Sequence, residues 1–269
     1  MADPANEFGA VQRAFSKQAE HYDEDDLANP ILLAWRKQVY DHVKSYLKPI
    51  DSILELNSGT GIDALYFARL GNQVLATDYS HGMIDQIQAK ITREHIEDRL
   101  SCRLCSFESL AEITEKKFDY VFSNFGGLNC SSDLSRITTQ LPSLVSPGGF
   151  VTLVIMPPVC PWELARVFKG KHDTFRRLRK GGTMAHLEGE YFKTYYYSLP
   201  YLKRKIGKEF LFVKTEGLGT FAPPPSAVEF VNRNPKITSV LRWLDRLSRN
   251  IFPFNRWGDH IIVTFQYKG

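Results

Sequence analysis

The stretch SILELNSGTGIDALYFARLGNQVLATD, residues 52–78, decides the fold. Ser52 to Leu56 form a short apolar run that ends in the turn Asn57-Ser58-Gly59-Thr60-Gly61. IDALYFARL then carries apolar residues at helical spacing. Gly71 closes that helix, because glycine accepts the left-handed backbone of a helix end. A second short run, NQVLATD, finishes on Asp78. Strand, glycine turn, helix, strand is the start of a βαβ unit, in which a helix must carry the chain between parallel strands.

The same alternation continues on the C-terminal side. SHGMIDQIQAKITREH reads as a helix with Ser80 as its N-cap. RLSCRLCS is a third strand, and FDYVFSNF a fourth, rich in aromatic and β-branched residues. A helix over roughly 132–144 leads to PGG and the apolar strand FVTLVIM. Strands and helices alternating from 51 to 156 predict a parallel sheet covered on both faces. Residues 8–48 read as helical, with Pro30 suited to a first helical position. After Met156 come three prolines, a basic run, the strand-like EYFKTYYYS within 183–198, the strand EFLFVKTEGLGTF, PPP at 223–225, the helix VLRWLDRLSRNI and the closing strand DHIIVTFQYK. The 269 residues are read as a single α/β domain, since such enzymes reach about 250 residues as one unit. Residues 8–48 are its helical cap, and 157–209 and 222–257 are insertions.

Hydrophobic residues make up 43% and charged residues 24%, enough for an ordinary globular core. A net charge of +4 is too mild to indicate a nucleic-acid binder. No apolar run is long enough for a membrane span, and MADPANEFGA lacks the pattern of a signal peptide. Cys102, Cys105, Cys130 and Cys160 are too sparse for a disulfide scaffold and suit a reducing cytoplasm. Cys102 and Cys105 form a CxxC without a second ligand pair, so no metal is expected.

Open α/β sheets bind ligands beyond the carboxyl ends of their strands. Gly59 and Gly61 let the backbone approach a ligand there, at a helix N-terminus with free N–H groups. A dinucleotide would want GxGxxG. Here Ile62 and Asp63 follow the second glycine, and the carboxylate would repel a pyrophosphate. A zwitterionic amino acid with a sulfonium centre meets no such repulsion. Asp78 either accepts hydrogen bonds from both ribose hydroxyls of an adenosine moiety or only caps the next helix.

LELNSGTGIDALYFARLGNQVLATDYSHGMI resembles the first two motifs of class I S-adenosylmethionine-dependent methyltransferases. FDYVFSNFGGLN resembles their fourth motif and LVSPGGFVTLVI the strand after it. The resemblance spans roughly 11–156, and more weakly 191–268. It implies a doubly wound, Rossmann-like sheet of seven strands, mostly parallel, with the last strand antiparallel. It also implies S-adenosylmethionine as cofactor and S-adenosylhomocysteine as product. By position, Glu55, Gly59 and Gly61 shape the turn under the methionine part, Asp78 holds the ribose, and Tyr79 packs on the adenine. Met83 belongs to the same set. Ser106 and Phe107 fall at the adenine edge, where many members carry an acidic residue in place of Ser106. Asn57 replaces a common glycine, and asparagine tolerates left-handed backbone. Asn124 and Phe125 fall where the family's backbone meets the methionine ammonium group, or they simply terminate a strand. The Asn-Pro-Pro-Tyr signature of adenine and glutamine methylases is absent. FSKQAEHYDE resembles the lead-in helix of small-molecule methyltransferases. Tyr22 would fold over cofactor or substrate, or else pack in the core. Arg36 would pair with the methionine carboxylate, or lie on a solvated face.

Methyl transfer is an in-line displacement, so alignment and desolvation supply much of the rate. A base is needed only when the nucleophile must lose a proton. The motifs name none, and His172, His186, Glu188 and His260 are the candidates. The insertions are expected to build a lid. Within EGEYFKTYYYSLPYL, Tyr195 and Tyr197 share one face of a strand and Thr194 and Tyr196 the other. Tyr195, Tyr196 and His186 are the candidate substrate contacts, with core packing as the alternative. RVFKGKHDTFRRLRK reads as a solvated helix face, or as a site for an anionic substrate, membrane or nucleic acid. The expected activity is methylation of a small molecule, aromatic or apolar. RNA or protein methylation, or a binding protein that keeps the fold without catalysis, are the rival readings.

Overall fold

The computed structural model describes residues 4–113, 117–165, 172–179 and 181–269. Three helices come first: α1 (Pro4–Gln18), α2 (Tyr22–Ala28) and α3 (Pro30–Lys44). The break between α2 and α3 is chemical. Asn29 accepts from the backbone N–H groups of Ile31 and Leu32 at 3.0 and 3.3 Å, and Pro30 takes the first helical position.

The alternating core follows: β1 (Ser52–Leu56), α4 (Ile62–Arg69), β2 (Gln73–Asp78), α5 (His81–Glu94), β3 (Leu100–Leu104) and β4 (Phe118–Ser123). The helix expected over 132–144 is two short turns, α6 (Ser135–Thr138) and α7 (Leu141–Leu144), the second with Pro142 in its first turn. Then come β5 (Val145–Ile155) and α8 (Pro161–Ala165). The tyrosine-rich segment is not one strand but a hairpin, β6 (Thr183–Leu187) and β7 (Glu190–Thr194), after which the chain turns into α9 (Leu199–Lys205). Strand β8 (Phe210–Leu218), helices α10 (Val228–Arg233) and α11 (Pro235–Ser248), and β9 (His260–Tyr267) complete the chain.

The seven-stranded sheet runs β3-β2-β1-β4-β5-β9-β8. Strands β1 to β5 pair in parallel, while β9 is antiparallel to both β5 and β8. Strand order reverses between β1 and β4, and open α/β sheets bind ligands at such a switch point. The inner strands carry apolar residues on both faces because both faces are covered. Ile53 and Phe122 pack on the side of α3, α4 and α5, whereas Leu54 and Val121 pack on the side of α7 and α9.

The basic run departs from its expectation. Arg166, Lys169, Lys171 and Lys180 lie outside the described residues, and the described part, His172–Leu178, is 3-10 rather than α-helical. Arg177 is buried, not solvated. It donates to Glu163 and Asp259, and Arg176 also pairs with Glu163.

Candidate functional site

Backbone geometry at the switch point is unusual in the way the sequence requires. Asn57, Gly59 and Gly61 all have positive φ, at 47°, 55° and 80°. A Cβ at Gly59 would project into open space, whereas one at Gly61 would come within 2.9 Å of Ile87. Asn57 does more than tolerate the turn. Its Nδ2 donates to the Asn124 carbonyl at 3.0 Å, and its Oδ1 accepts from Ser123 Oγ at 2.7 Å. The turn after β1 is thereby tied to the end of β4. A Cβ at Gly127 would fall 2.4 Å from Asn57 Cγ, so the two positions suit each other.

Asp78 sits at the end of β2. Its Oδ2 accepts from Gly59 N and its Oδ1 from Ser80 N, both at 2.9 Å. The cap of α5 is Ser80, whose hydroxyl accepts from Met83 N at 3.2 Å. Burial raises the Asp78 pKa to about 6, against the opposing pull of the Ser80 and Gly59 amides.

These residues border a cavity of about 270 Å³. Tyr79, Ser106 and Phe107 form one end with Phe8 of α1, whose ring lies 6.5 Å from Tyr79 and 5.8 Å from Phe107. Met83, Asn124, Phe125 and Tyr22 also line it. The far end is apolar: Phe15, Cys130, Met156 and Phe192. Phe8, Val11 and Phe15 escaped the sequence reading, although their spacing is that of one helix face. Glu55 is not among the lining residues. It is buried beneath the turn, one carboxylate oxygen lacks a partner, and burial with repulsion from Asp63 raises its pKa well above the carboxylate range.

Arg36 is neither on a solvated face nor free. It is buried, bound to Asp26 at 2.7 Å and to Asp63. Asp63 also accepts from Tyr40 at 2.6 Å and from Asn124 Nδ2 at 2.8 Å. Arg36 Nε has no partner, and Arg36 lines a small cleft of about 30 Å³ with Asn57, Gly59 and Tyr22. Helix α2 is clamped over the turn through Asp23, which accepts from Thr60 and pairs with Lys90 at 2.5 Å.

A third cavity, of about 290 Å³, shares Tyr22 and Phe125 with the other two and adds Gln18, Asp25, Asp26 and His260. His260 is buried; its Nδ1 lies 3.0 Å from Asp259 Oδ2, and neither ring nitrogen has a hydrogen-bond partner. Gln18 Oε1 is also buried and unpartnered. Burial opposes ionisation of Asp259, but His260 and Arg177 outweigh it and hold its pKa far below the usual range. Cys160 and Glu163 converge on Asp259 as well, with Arg177 bridging the two carboxylates.

Three sequence candidates fall elsewhere. His186 is exposed on the outer face of β6, its ring 4.5 Å from that of Tyr191, while Ala185, Phe192 and Thr194 face the cavity. Strand β7 ends at Thr194, so the alternation expected of Tyr195 and Tyr196 does not apply. Tyr195 packs against the core, and Tyr196 pairs with Thr183 at 3.1 Å beneath the Arg177 guanidinium. Neither lines the cavity. Glu188 is an exposed turn residue 3.3 Å from His21, and the side chain of His172 lies outside the described residues.

The model of a methyltransferase domain family matches residues 53–149, the segment from β1 to the start of β5 that builds the turn and Asp78. Over those residues the chain carries a methyltransferase domain. The demethylmenaquinone methyltransferase of Lactiplantibacillus plantarum is 26% identical over 172 residues, covering 58% of this chain and 70% of that protein. Among solved structures, the CcbJ methyltransferase from Streptomyces caelestis shares the fold at a TM-score of 0.62, with 17% identity over 95% of this chain and 98% of that one. The Burkholderia thailandensis 1,6-didemethyltoxoflavin-N1-methyltransferase shares it at 0.61, with 14% identity over 100% of this chain and 92% of that one. In that structure the substrate and S-adenosylhomocysteine are bound. The chain thus shares with these proteins a mostly parallel seven-stranded sheet with an antiparallel last strand.

Proposed function

We propose that this methyltransferase domain binds S-adenosylmethionine in the main cavity and methylates a small molecule that is aromatic or apolar. The observation that carries the reading is Asp78. A half-buried carboxylate stands at the end of β2, beside a glycine whose missing Cβ leaves open space, and next to a wall of Phe8, Tyr79 and Phe107. That is a diol acceptor beside a slot for a flat ring. The residues fit the cofactor in a second respect: Arg36 Nε is a buried donor without a partner, on the cleft beside Gly59.

In this reading Asp78 accepts from the ribose hydroxyls, and Tyr79, Phe107 and Ser106 border the adenine. The methionine end lies along Gly59, Gly61, Asn124 and Phe125, with Arg36 facing its carboxylate and Met83 closing the wall. Glu55 and Asn57 set the turn from below. When bound, S-adenosylmethionine supplies a methyl group on a positively charged sulfur. Everything else falls to the chain: Tyr22 and α2 exclude water, and the apolar end takes the acceptor's body. Of the two insertions expected to form a lid, 157–209 does so through Ala185, Phe192 and Thr194, whereas no residue of 222–257 lines the cavity. Where the acceptor must lose a proton, His260 is the base. Its Nδ1 lies 3.0 Å from Asp259 Oδ2, and its Nε2, with no hydrogen-bond partner, is the nitrogen that takes the proton. The relatives named for an acceptor act on demethylmenaquinone and 1,6-didemethyltoxoflavin, which supports a small acceptor here.

Calorimetric titration with S-adenosylmethionine and S-adenosylhomocysteine tests the reading. Micromolar binding that Asp78→Ala abolishes is the expected result. Absence of binding by both ligands would overturn it.

A further inference from the structure

Helix α11 exposes an apolar stripe that a surface helix ordinarily buries. Its inner side carries the polar residues Thr238, Arg242 and Asp245 beside half-buried Leu241 and Leu244. Asp245 accepts from the backbone N–H groups of Phe221 and Ala222 at 2.7 and 2.9 Å, Arg242 donates to the Pro30 carbonyl at 3.1 Å, and Thr238 is buried. Its other apolar residues point outward. Ile237, Val240, Trp243 and Leu247 recur at spacings of three and four along one exposed stripe, which Ile251 and Phe252 prolong. Trp243 is 53% exposed and Phe252 68%. A surface helix ordinarily turns this stripe to the core. A contiguous exposed apolar row marks a surface that something else covers.

Charge decides what that is. Residues 235–256 hold five basic side chains, Lys236, Arg242, Arg246, Arg249 and Arg256, against the single acid Asp245, which is turned inward. Lys236, Arg246 and Arg256 are exposed around the row, and the Arg256 guanidinium lies 5.1 Å from the Phe252 ring. In a self-paired dimer these like charges would face one another. Against an anionic lipid surface they gain, and the row offers what an interfacial helix uses: aliphatic residues, Trp and Phe, with a basic rim. No helix among the described residues is long and apolar enough to cross a membrane, so the contact is peripheral.

We propose that the α11 face, from Ile237 to Phe252, lies in the surface of an anionic lipid bilayer and that the acceptor is taken from that layer. The second half rests on the reading of the site given above. The helix lies in the chain between the edge strand β8 and its neighbour β9, which His260 begins. The preceding segment meets α2 and α3 where Asn29, a residue lining the His260 cavity, donates to the Pro225 carbonyl at 3.1 Å. A bilayer on this face would therefore lie near the site, and its acceptor would be lipid-soluble.

The test is co-sedimentation of the full chain with vesicles of phosphatidylcholine alone or of equimolar phosphatidylcholine and phosphatidylglycerol. The expected result is binding to the anionic vesicles that weakens with salt. Trp243→Asp with Leu247→Asp should lower the partition coefficient at least tenfold, and Lys236→Gln or Arg246→Gln about fivefold each. All of these variants should bind S-adenosylhomocysteine as the wild type does, which separates this proposal from the cofactor reading. Failure of the wild type to bind either vesicle would overturn it, as would unchanged binding by the double variant. A wild-type dimer in sedimentation that Trp243→Asp dissociates would give the face to a second copy instead.

Discussion

Asp78→Asn separates the two demands placed on that side chain. Burial holds its pKa at about 6 rather than the ordinary 3.8. One pH unit corresponds to about 1.4 kcal/mol, so the ionised carboxylate costs the folded state about 3 kcal/mol above pH 6. Between pH 4 and 6 the unfolded chain has released the proton that the folded chain retains. Stability therefore falls as pH rises through that window and is level above it. The asparagine carries no charge and removes this slope. It cannot accept from both Gly59 N and Ser80 N, however, since one oxygen becomes an NH₂ group. A buried N–H left without an acceptor costs about 1–3 kcal/mol. The net change at pH 7.5 should be between about zero and 2 kcal/mol of stabilisation. Ligand binding should move the other way. Trading a charged for a neutral acceptor loses roughly 1 kcal/mol per ribose hydroxyl, or about 10–100-fold in affinity for both. Urea unfolding at pH 5 and 7.5, with calorimetry on S-adenosylhomocysteine, measures both effects. A variant that is strongly destabilised at pH 7.5 yet binds at wild-type affinity would refute the reasoning and make Asp78 a purely structural residue.

Gly59→Ala places a methyl group in the cleft at a φ of 55°, and the strain should cost about 1 kcal/mol in urea unfolding. The same methyl group should weaken S-adenosylhomocysteine at least tenfold by calorimetry. Arg177→Met leaves buried Glu163 and partly buried Asp259 without their shared cation, and should lose about 3–5 kcal/mol of stability by the same unfolding assay. His260→Gln should leave cofactor affinity unchanged. It should lower turnover about 10²–10⁴-fold on acceptors that must lose a proton, followed as S-adenosylhomocysteine release. Acceptors already deprotonated should be methylated at nearly the wild-type rate, and an equal loss on both kinds would refute a base at this position.

The parallel core was legible because its signals are local. Apolar runs, the glycine turn and the Ser80 cap each act within a few residues, and β1, β2, β4 and β5 fall where those signals put them. The aromatic wall was legible only in part. Tyr79 and Phe107 follow sheet strands, whereas Phe8 reaches them from a helix far earlier in sequence, and nothing local marks such a contact. The tyrosine cluster misled for the same reason. Alternation assigns faces only while the strand lasts, and this strand stops at Thr194 because the chain turns to start α9. Arg177 reads as a solvated charge and Arg36 as either a partner of the methionine carboxylate or a solvated charge, since their partners Asp259 and Asp63 are remote in sequence.

Helix α11 shows the same limit from the opposite side. Its period is plain in VLRWLDRLSRNI, and ordinary amphipathic logic would turn Val240, Trp243 and Leu247 to the core. What reverses it is Asp245. Its two oxygens satisfy the amides of Phe221 and Ala222 at the end of β8, where the chain leaves the sheet and has no strand neighbour to accept from it. Losing that acceptor would strand two N–H groups, which is costlier than exposing an apolar row that a lipid surface can cover. The orientation of the helix thus follows from the hydrogen-bond needs of a strand end, and the outward apolar face follows from the orientation.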